Sequence, residues 1–311
     1  MTLHEAFAAD VAEHLQRQPR QLPSKYFYDE LGSALFEAIC RLPWYRITRA
    51  ETALLARHAM EIAHPLAHPL SVVELGSGSG DKLAVFTAAA RGEIASIQLV
   101  DISAAALDMA QYRLQAIGLD ALTHHATYED GLEGAASARP EGTTLLVLFL
   151  GSNIGNYDPA GAAGLLRRIR AALRPGDALL LGSDLVKPER ELLLAYDDPL
   201  LVTAAFNLNL LRRINDELGG DFALDGFDHQ ARWNAGARRV EAHLVSRRRQ
   251  QVTIPAAAVS IELAEGEGIW TESSYKYEPG QVVEEGRRAG FGEAAQWIDR
   301  EAGFALTRFT A

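Results

Sequence analysis

The segment Val72-Val-Glu74-Leu-Gly76-Ser77-Gly78-Ser-Gly80-Asp-Lys82 joins an apolar β run to a glycine-rich turn. Such a turn lets a ligand lie against bare backbone. Against the dinucleotide pattern G-x-G-x-x-G it fails in both registers: from Gly76 the third glycine falls on Asp81, and from Gly78 on Leu83. What remains is an acid closing the strand, Glu74, followed by alternating glycines. The pattern points to a nucleotide-type cofactor, with a ligand-free βα turn as the plain alternative. A second apolar run, Ser96-Ile-Gln-Leu-Val-Asp101, also ends in an acid. Asp101 lies at the spacing from which a carboxylate reaches the ribose hydroxyls of a nucleotide held by the first turn. A carboxylate accepts two such hydrogen bonds and repels a 2′-phosphate. Alone, Asp101 could simply open the helix that follows Ser103; beside the glycine turn, the ribose role is preferred.

Positioning these groups requires a sheet. Strands are predicted over Ser71–Leu75, Ser96–Ile102, Leu145–Leu150 and Ala178–Leu181, each separated by helical stretches. Near-continuous apolar strands alternating with amphipathic helices indicate a parallel sheet covered on both faces. The carboxyl terminus reads as a helix from Gly280 with a glycine stop, then two strands around Gln296–Asp299 and Phe304–Phe309. Residues 1 to about 50 are helical, and residues from about 187 to 276 interrupt the alternation with a helix (Asp198–Leu218) and strands (Arg239–Ile254, Ile261–Ile269). An insertion of that size needs its own packing surface. The expected organisation is a core domain of 51–186 and 277–311, with a second domain of 1–50 and 187–276 closing over the carboxyl edge of the sheet.

The 311 residues suffice for one large or two modest domains. A net charge of -11 argues against a nucleic-acid partner, which would need a basic stripe. The dense basic run Arg247-Arg248-Arg249, with Arg238 and Arg239 nearby, is read as the wet face of strands. Glu5 and Asp10 and the lack of a long apolar run at the amino terminus predict no signal peptide, no membrane span and a cytoplasmic protein. Cys40, the one cysteine, follows Phe36-Glu-Ala-Ile in an apolar helix phase and is expected in the core. His64 and His68 have a metal-ligand spacing, but Pro65 and Pro69 interrupt the helix that would align them, so no metal is expected.

The glycine turn resembles the first motif of Rossmann-like S-adenosylmethionine-dependent methyltransferases. The amino-terminal segment from Lys25-Tyr-Phe-Tyr28 to Trp44-Tyr45-Arg-Ile-Thr-Arg-Ala-Glu51 resembles the opening signature of the histidine-specific methyltransferase family of the ergothioneine pathway. Three further segments carry the likeness: Phe149-Leu-Gly151-Ser-Asn-Ile-Gly-Asn156-Tyr, Ala195-Tyr196-Asp-Asp with Phe206-Asn-Leu-Asn, and Thr271-Glu272-Ser-Ser274-Tyr-Lys-Tyr. It runs from about residue 20 to residue 277. It implies an α/β fold with a Rossmann-like class I methyltransferase sheet and a second α+β substrate domain built from the amino terminus and the late insertion.

It also implies a cofactor site of Glu74, Gly76, Ser77, Gly78, Lys82 and Asp101 for S-adenosylmethionine, Lys82 meeting the methionine carboxylate unless it is only a solvated lysine. The implied substrate site is Tyr28, Tyr45, Gly151, Asn156, Tyr196, Glu272 and Ser274, with Tyr28 and Asn156 as the catalytic pair. An Asn side chain can orient a carboxylate and an amine together, and the Tyr196 hydroxyl adds a donor. Glu272 can accept an imidazole N–H while Ser274 or Tyr45 serves the other nitrogen. Read one by one, the same residues could be packed aromatics, a turn asparagine before Asp158-Pro159 and a solvated strand acid. Ala242 stands where the family often carries a methionine, which would widen the pocket. The place of an adenine-reading acid is taken by Ala126-Thr-Tyr128-Glu-Asp130.

The implied reaction is three successive methyl transfers to the α-amine of L-histidine, through its mono- and dimethylated forms, by a monomeric enzyme without a metal. Tyr28, Tyr45 and Phe36 would face the growing cation. The alternatives are an Nα-methyltransferase for another amino acid or small amine, and a non-catalytic sensor of the cofactor.

Overall fold

The computed structural model describes residues 2–90 and 94–311. Among these, the strands in chain order are β1 (Leu70–Leu75), β2 (Ile94–Asp101), β3 (Leu122–His125), β4 (Thr144–Phe149), β5 (Ala178–Asp184), β6 (Phe227–Asn234), β7 (Arg239–Ser246), β8 (Gln250–Ile254), β9 (Val259–Leu263), β10 (Gly268–Tyr275), β11 (Ala294–Asp299) and β12 (Phe304–Thr310). The chain divides into two compact units, 46–187 with 275–311 and 1–45 with 188–274.

The first of these units is built on a seven-stranded sheet of order β11-β12-β5-β4-β1-β2-β3. The five strands from β5 to β3 are parallel, and β12 and β11 close the other edge antiparallel. Every residue of β1 and β5 is buried, because helices cover both faces of central parallel strands. The predicted strands are found with ends shifted by a few residues, and the terminal hairpin is as expected. Edge strand β3, Leu122-Thr-His-His125, was not predicted; its residues are half-buried or exposed, so it lacks the apolar run that marks its neighbours. Strand order reverses between β1 and β4, which leave their carboxyl ends side by side with Glu74 opposite Leu148. At such a switch point, loops splay apart and leave room for a ligand.

The other unit is α+β. Helices Leu3–Leu15, Glu30–Arg41, Glu189–Tyr196 and Val202–Leu218 accompany a three-stranded sheet, β10-β7-β6, and the hairpin β8-β9. Two expectations need correcting. Arg247-Arg248-Arg249 occupy the turn between β7 and β8, where they meet Asp228, Asp225 and Glu262. In the turn their side chains are exposed, and carboxylates on neighbouring segments pair with them. Cys40 is only half-buried, since the phase of its helix turns Ile39 inward instead. His64 and His68 lie beyond the end of the helix Ile47–Ala63.

Candidate active site

In the sheet unit, β1 delivers its chain into Gly76, Gly78 and Gly80, all at positive φ (75°, 49° and 75°). Side chains rarely tolerate that region, so the alternating glycines follow from the backbone path. Their surroundings differ in a telling way. A Cβ on Gly80 would stand 3.0 Å from the Ala110 backbone, and one on Gly76 would meet Asn153 Nδ2 at 2.9 Å and the Tyr128 hydroxyl at 3.0 Å, whereas Gly78 faces open space. Gly80 then caps the helix Asp81–Ala89, whose first amides and dipole favour an anion.

Acids flank the turn. Asp101 at the end of β2 accepts the Gly78 N–H at 3.3 Å and the Ser103 N–H at 2.9 Å, joining the turn to the next helix. A carboxylate has about four lone-pair sites, so these two bonds leave capacity for hydroxyl donors. Burial nonetheless raises its pKa, against the opposing pull of its backbone N–H bonds. Glu74 is fully buried, and neither of its carboxylate oxygens has a hydrogen-bond partner among the described residues. Burial drives its pKa up to about 8, with Lys82 pulling it down and Glu51 and Asp101 pushing it up. The Ser77 hydroxyl, in the turn that follows, is likewise buried and without a partner among the described residues.

Lys82, with its side chain 20% exposed, is no solvated lysine: its Nζ donates to Glu51 Oε2 at 3.0 Å. The same carboxylate receives the Gly151 N–H at 2.9 and 2.8 Å. Gly151 (φ 74°) and Ser152 (φ 58°) are both left-handed, and Ser152 Oγ accepts the Asp184 N–H at 2.9 Å. Gly151 therefore has its amide committed, and a Cβ there would stand 3.1 Å from Lys82 Nζ. This loop ends in the 3-10 turn Asn153–Asn156, which puts the half-buried Asn156 beyond the carboxyl end of β4. In the stretch that stands in place of an adenine-reading acid, Thr127 caps the helix Tyr128–Ala138 by accepting the Asp130 N–H, and its hydroxyl donates to Asp130. Within this stretch Tyr128 is the residue whose side chain reaches the turn, its hydroxyl 3.0 Å from where a Cβ on Gly76 would stand.

In the α+β unit the predicted aromatics come together. Tyr28 meets Phe36 (ring centroids 5.6 Å), Phe36 meets Tyr45 (6.3 Å), and Tyr45 meets Tyr196 (6.2 Å), all three edge to face. Phe206, which the sequence did not single out as a site residue, packs on both Tyr28 and Phe36. The Tyr196 hydroxyl and Ser274 Oγ are 2.8 Å apart. Either hydroxyl can be the donor of that bond. Glu272, half-buried on β10, is steadied by Trp270, whose indole N–H donates to the Glu272 carbonyl at 2.7 Å. Trp270 itself lies between His243 and the Arg239 guanidinium.

A second support was not legible in the sequence. Asn207 Nδ2 donates to His229 Nδ1 at 2.8 Å, leaving the His229 Nε2–H to donate to the Tyr196 carbonyl at 2.7 Å. No spacing rule links positions 196, 207 and 229. The signal was an amide on the buried face of an amphipathic helix, with Asn207 one residue beyond Phe206.

The model of one family matches residues 7–311: the S-adenosylmethionine-dependent histidine-specific methyltransferases. The chain belongs to that family. Among its relatives, the histidine N-alpha-methyltransferase of Mycobacterium tuberculosis (strain CDC 1551 / Oshkosh) is 39% identical over 308 residues, covering 98% of this chain and 94% of the relative. The protein of the same name from Mycolicibacterium smegmatis is 40% identical over 309 residues, covering 97% and 94%. A solved S-adenosylmethionine-dependent methyltransferase from Clostridium acetobutylicum superposes with a TM-score of 0.46 at 8% identity, covering 90% of this chain and 96% of that one.

Family membership makes S-adenosylmethionine the methyl donor, and the residues at the glycine turn fit it. An unpartnered, fully buried carboxylate suits an ammonium, and a buried charge is tolerated only when paired. Open space at Gly78 suits a close approach to backbone. Among the described residues no cluster of three or more His, Cys, Asp or Glu is placed to hold a metal ion, and no helix is long and apolar enough to cross a membrane.

Proposed function

We propose that this methyltransferase trimethylates the α-amine of L-histidine, giving hercynine, the betaine from which ergothioneine is made. The activity named for the two mycobacterial relatives supports the choice of nitrogen. The observation that carries the reading is the aromatic cluster of Tyr28, Phe36, Tyr45, Tyr196 and Phe206 beside the Ser274 hydroxyl. A nitrogen that gains methyl groups loses N–H donors and becomes a permanent cation. Ring faces attract such a cation without needing donors from it.

When bound, S-adenosylmethionine supplies a methyl group already activated by its positive sulfur. The protein's work is then to bind, orient and exclude water. Glu74 and Ser77 would take the methionyl ammonium, Lys82 its carboxylate, Gly76 and Gly78 the approach of the chain, and Asp101 the ribose hydroxyls. On the substrate, Asn156 and the Tyr196–Ser274 pair would hold carboxylate and amine, and Glu272 would accept an imidazole N–H. Tyr28 and Asn156 would orient the amine, which gives up its own ammonium proton to solvent before the first transfer, with its lone pair aimed at the methyl carbon. Each of the first two transfers leaves an ammonium proton that must go to solvent before the next, and the third leaves none.

An exhaustive reaction with excess methyl donor, followed by fragmentation mass spectrometry, tests this. The expected end product carries three methyl groups on the α-nitrogen. A product stopping at one methyl, or carrying the mass on the imidazole ring, overturns it. Ala242 favours one second reading, methylation of a bulkier ring-bearing amino acid: it is buried on β7 opposite another alanine, Ala231, so the strand pair presents little bulk there. Competition assays with other aromatic amino acids decide between the two.

A further inference from the structure

Glu51 sits in the helix Ile47–Ala63 with its side chain 0% exposed. A carboxylate so buried is tolerated only with full pairing. Its partners converge from three parts of the sheet unit: Lys82 Nζ at 3.0 Å, the Gly151 N–H reaching both oxygens, and the bare backbone of Gly182 on β5. A Cβ at Gly182 would stand 2.0 Å from Glu51 Oε1, so a fully buried strand has been left without a side chain to admit this one carboxylate. Exchanging a buried ion pair for apolar side chains is often neutral or stabilising, so fold stability alone does not account for the arrangement.

What Glu51 joins does account for it. Lys82 follows directly on the glycine turn, and Gly151 opens the left-handed pair that leads to Asn156. An ammonium on a four-carbon stem is mobile, and Glu74, close by in charge interaction with both groups and lacking any hydrogen-bond partner, is a rival anion for it. We propose that Glu51 is a positioning residue, which holds the Lys82 ammonium and the Gly151 amide in fixed relation and keeps that ammonium away from Glu74. The cofactor's carboxylate then meets a cation already aimed, and Glu74 stays available for the cofactor's ammonium. The inference rests on the assignment of Lys82 to the cofactor site made above.

A double-mutant cycle on the full chain tests it, with calorimetric titration of S-adenosylmethionine into wild type, Glu51→Gln, Lys82→Met and the double variant. Glutamine keeps an oxygen for the Gly151 amide but no charge for Lys82. A lost charge-assisted contact is expected to weaken cofactor affinity by about tenfold or more in each single variant. The double variant is expected to bind within about twofold of Lys82→Met, because Glu51 acts through Lys82. A merely structural role would instead add its loss in either background, and that result overturns the inference. Wild-type affinity in Glu51→Gln with weakened Lys82→Met overturns it too, while wild-type affinity in Lys82→Met overturns the cofactor assignment beneath it. Should Glu51→Gln not fold, Glu51→Asp, which keeps the charge on a shorter stem, enters the same cycle with the same expectation. Failure of both to fold makes Glu51 a determinant of the fold and refutes the positioning role.

Discussion

Replacing Glu74 by Gln should flatten the pH dependence of both stability and cofactor binding. In the cofactor-free protein, burial raises the Glu74 pKa from 4.5 to about 8. For an acid raised in the folded state, the unfolded chain gives up its proton first, so the folded form is favoured at low pH and loses that advantage as pH rises toward the folded pKa. The slope approaches about 1.4 kcal/mol per pH unit between the two values, so from pH 5 to pH 8 this side chain alone costs the wild type on the order of 4 kcal/mol. Glutamine cannot titrate and should abolish that loss, whatever its own buried amide costs at every pH. The assay is urea unfolding of the cofactor-free protein at pH 5, 6.5 and 8 for both forms. Binding runs the opposite way. An ammonium requires the ionised carboxylate, so the affinity of wild type for S-adenosylmethionine should rise by up to about tenfold per pH unit from 5.5 to 7.5, below the ordinary pKa of an α-amine. The Gln variant should bind more weakly and show no such rise. Parallel pH profiles for the two proteins, in unfolding and in titration, would refute the reasoning.

Asp101→Ala should weaken cofactor binding by about tenfold or more, since ribose hydroxyls lose a charged acceptor and the glycine turn loses its link to Ser103; unchanged affinity by calorimetry would remove Asp101 from the site. Glu272→Ala should lower kcat/KM for histidine by about 10- to 100-fold while cofactor affinity stays within about twofold; wild-type efficiency in steady-state assays would reject the ring contact. Asp177→Ala should lower stability by about 3–5 kcal/mol, because both Asp177 oxygens hold the buried Arg139 and the Leu145 and Arg174 amides also depend on them. An unaltered urea midpoint would contradict that.

The central strands were readable because burial on both faces writes itself as an uninterrupted apolar run, as in Leu145–Phe149. Where a strand is covered on one face or neither, that mark disappears. Edge strand β3 and β6, Phe227-Asp-His-Gln-Ala-Arg-Trp-Asn234, carry polar residues throughout and show no such run. The stretch Arg239–Ile254 was read as one region although a turn at Arg247–Arg249 breaks it into two strands, since arginine is common both in turns and on wet strand faces. The glycine turn was legible because positive φ has a residue type of its own. Glu51, His229 and Asn207 were not, because a buried polar side chain takes its meaning from partners tens or hundreds of positions away. Glu51 lies 31 residues from Lys82 and 100 from Gly151. The family resemblance pointed to Tyr28, Tyr45, Tyr196 and Ser274 as a set; the structure adds Phe206 to their aromatic contacts and joins two of them through their hydroxyls.

The notch at Gly182 also constrains how this protein can change over generations. Glu51 and Gly182 lie on different elements and share one small volume, so neither can be substituted freely while the other stays. A lineage that gains a side chain at 182 first must have another place for the carboxylate at 51, and one that shortens residue 51 leaves a gap and a lysine in search of a counterion. The two positions should therefore drift as a pair, and a laboratory library that randomises them together should recover active clones that no single-site library contains.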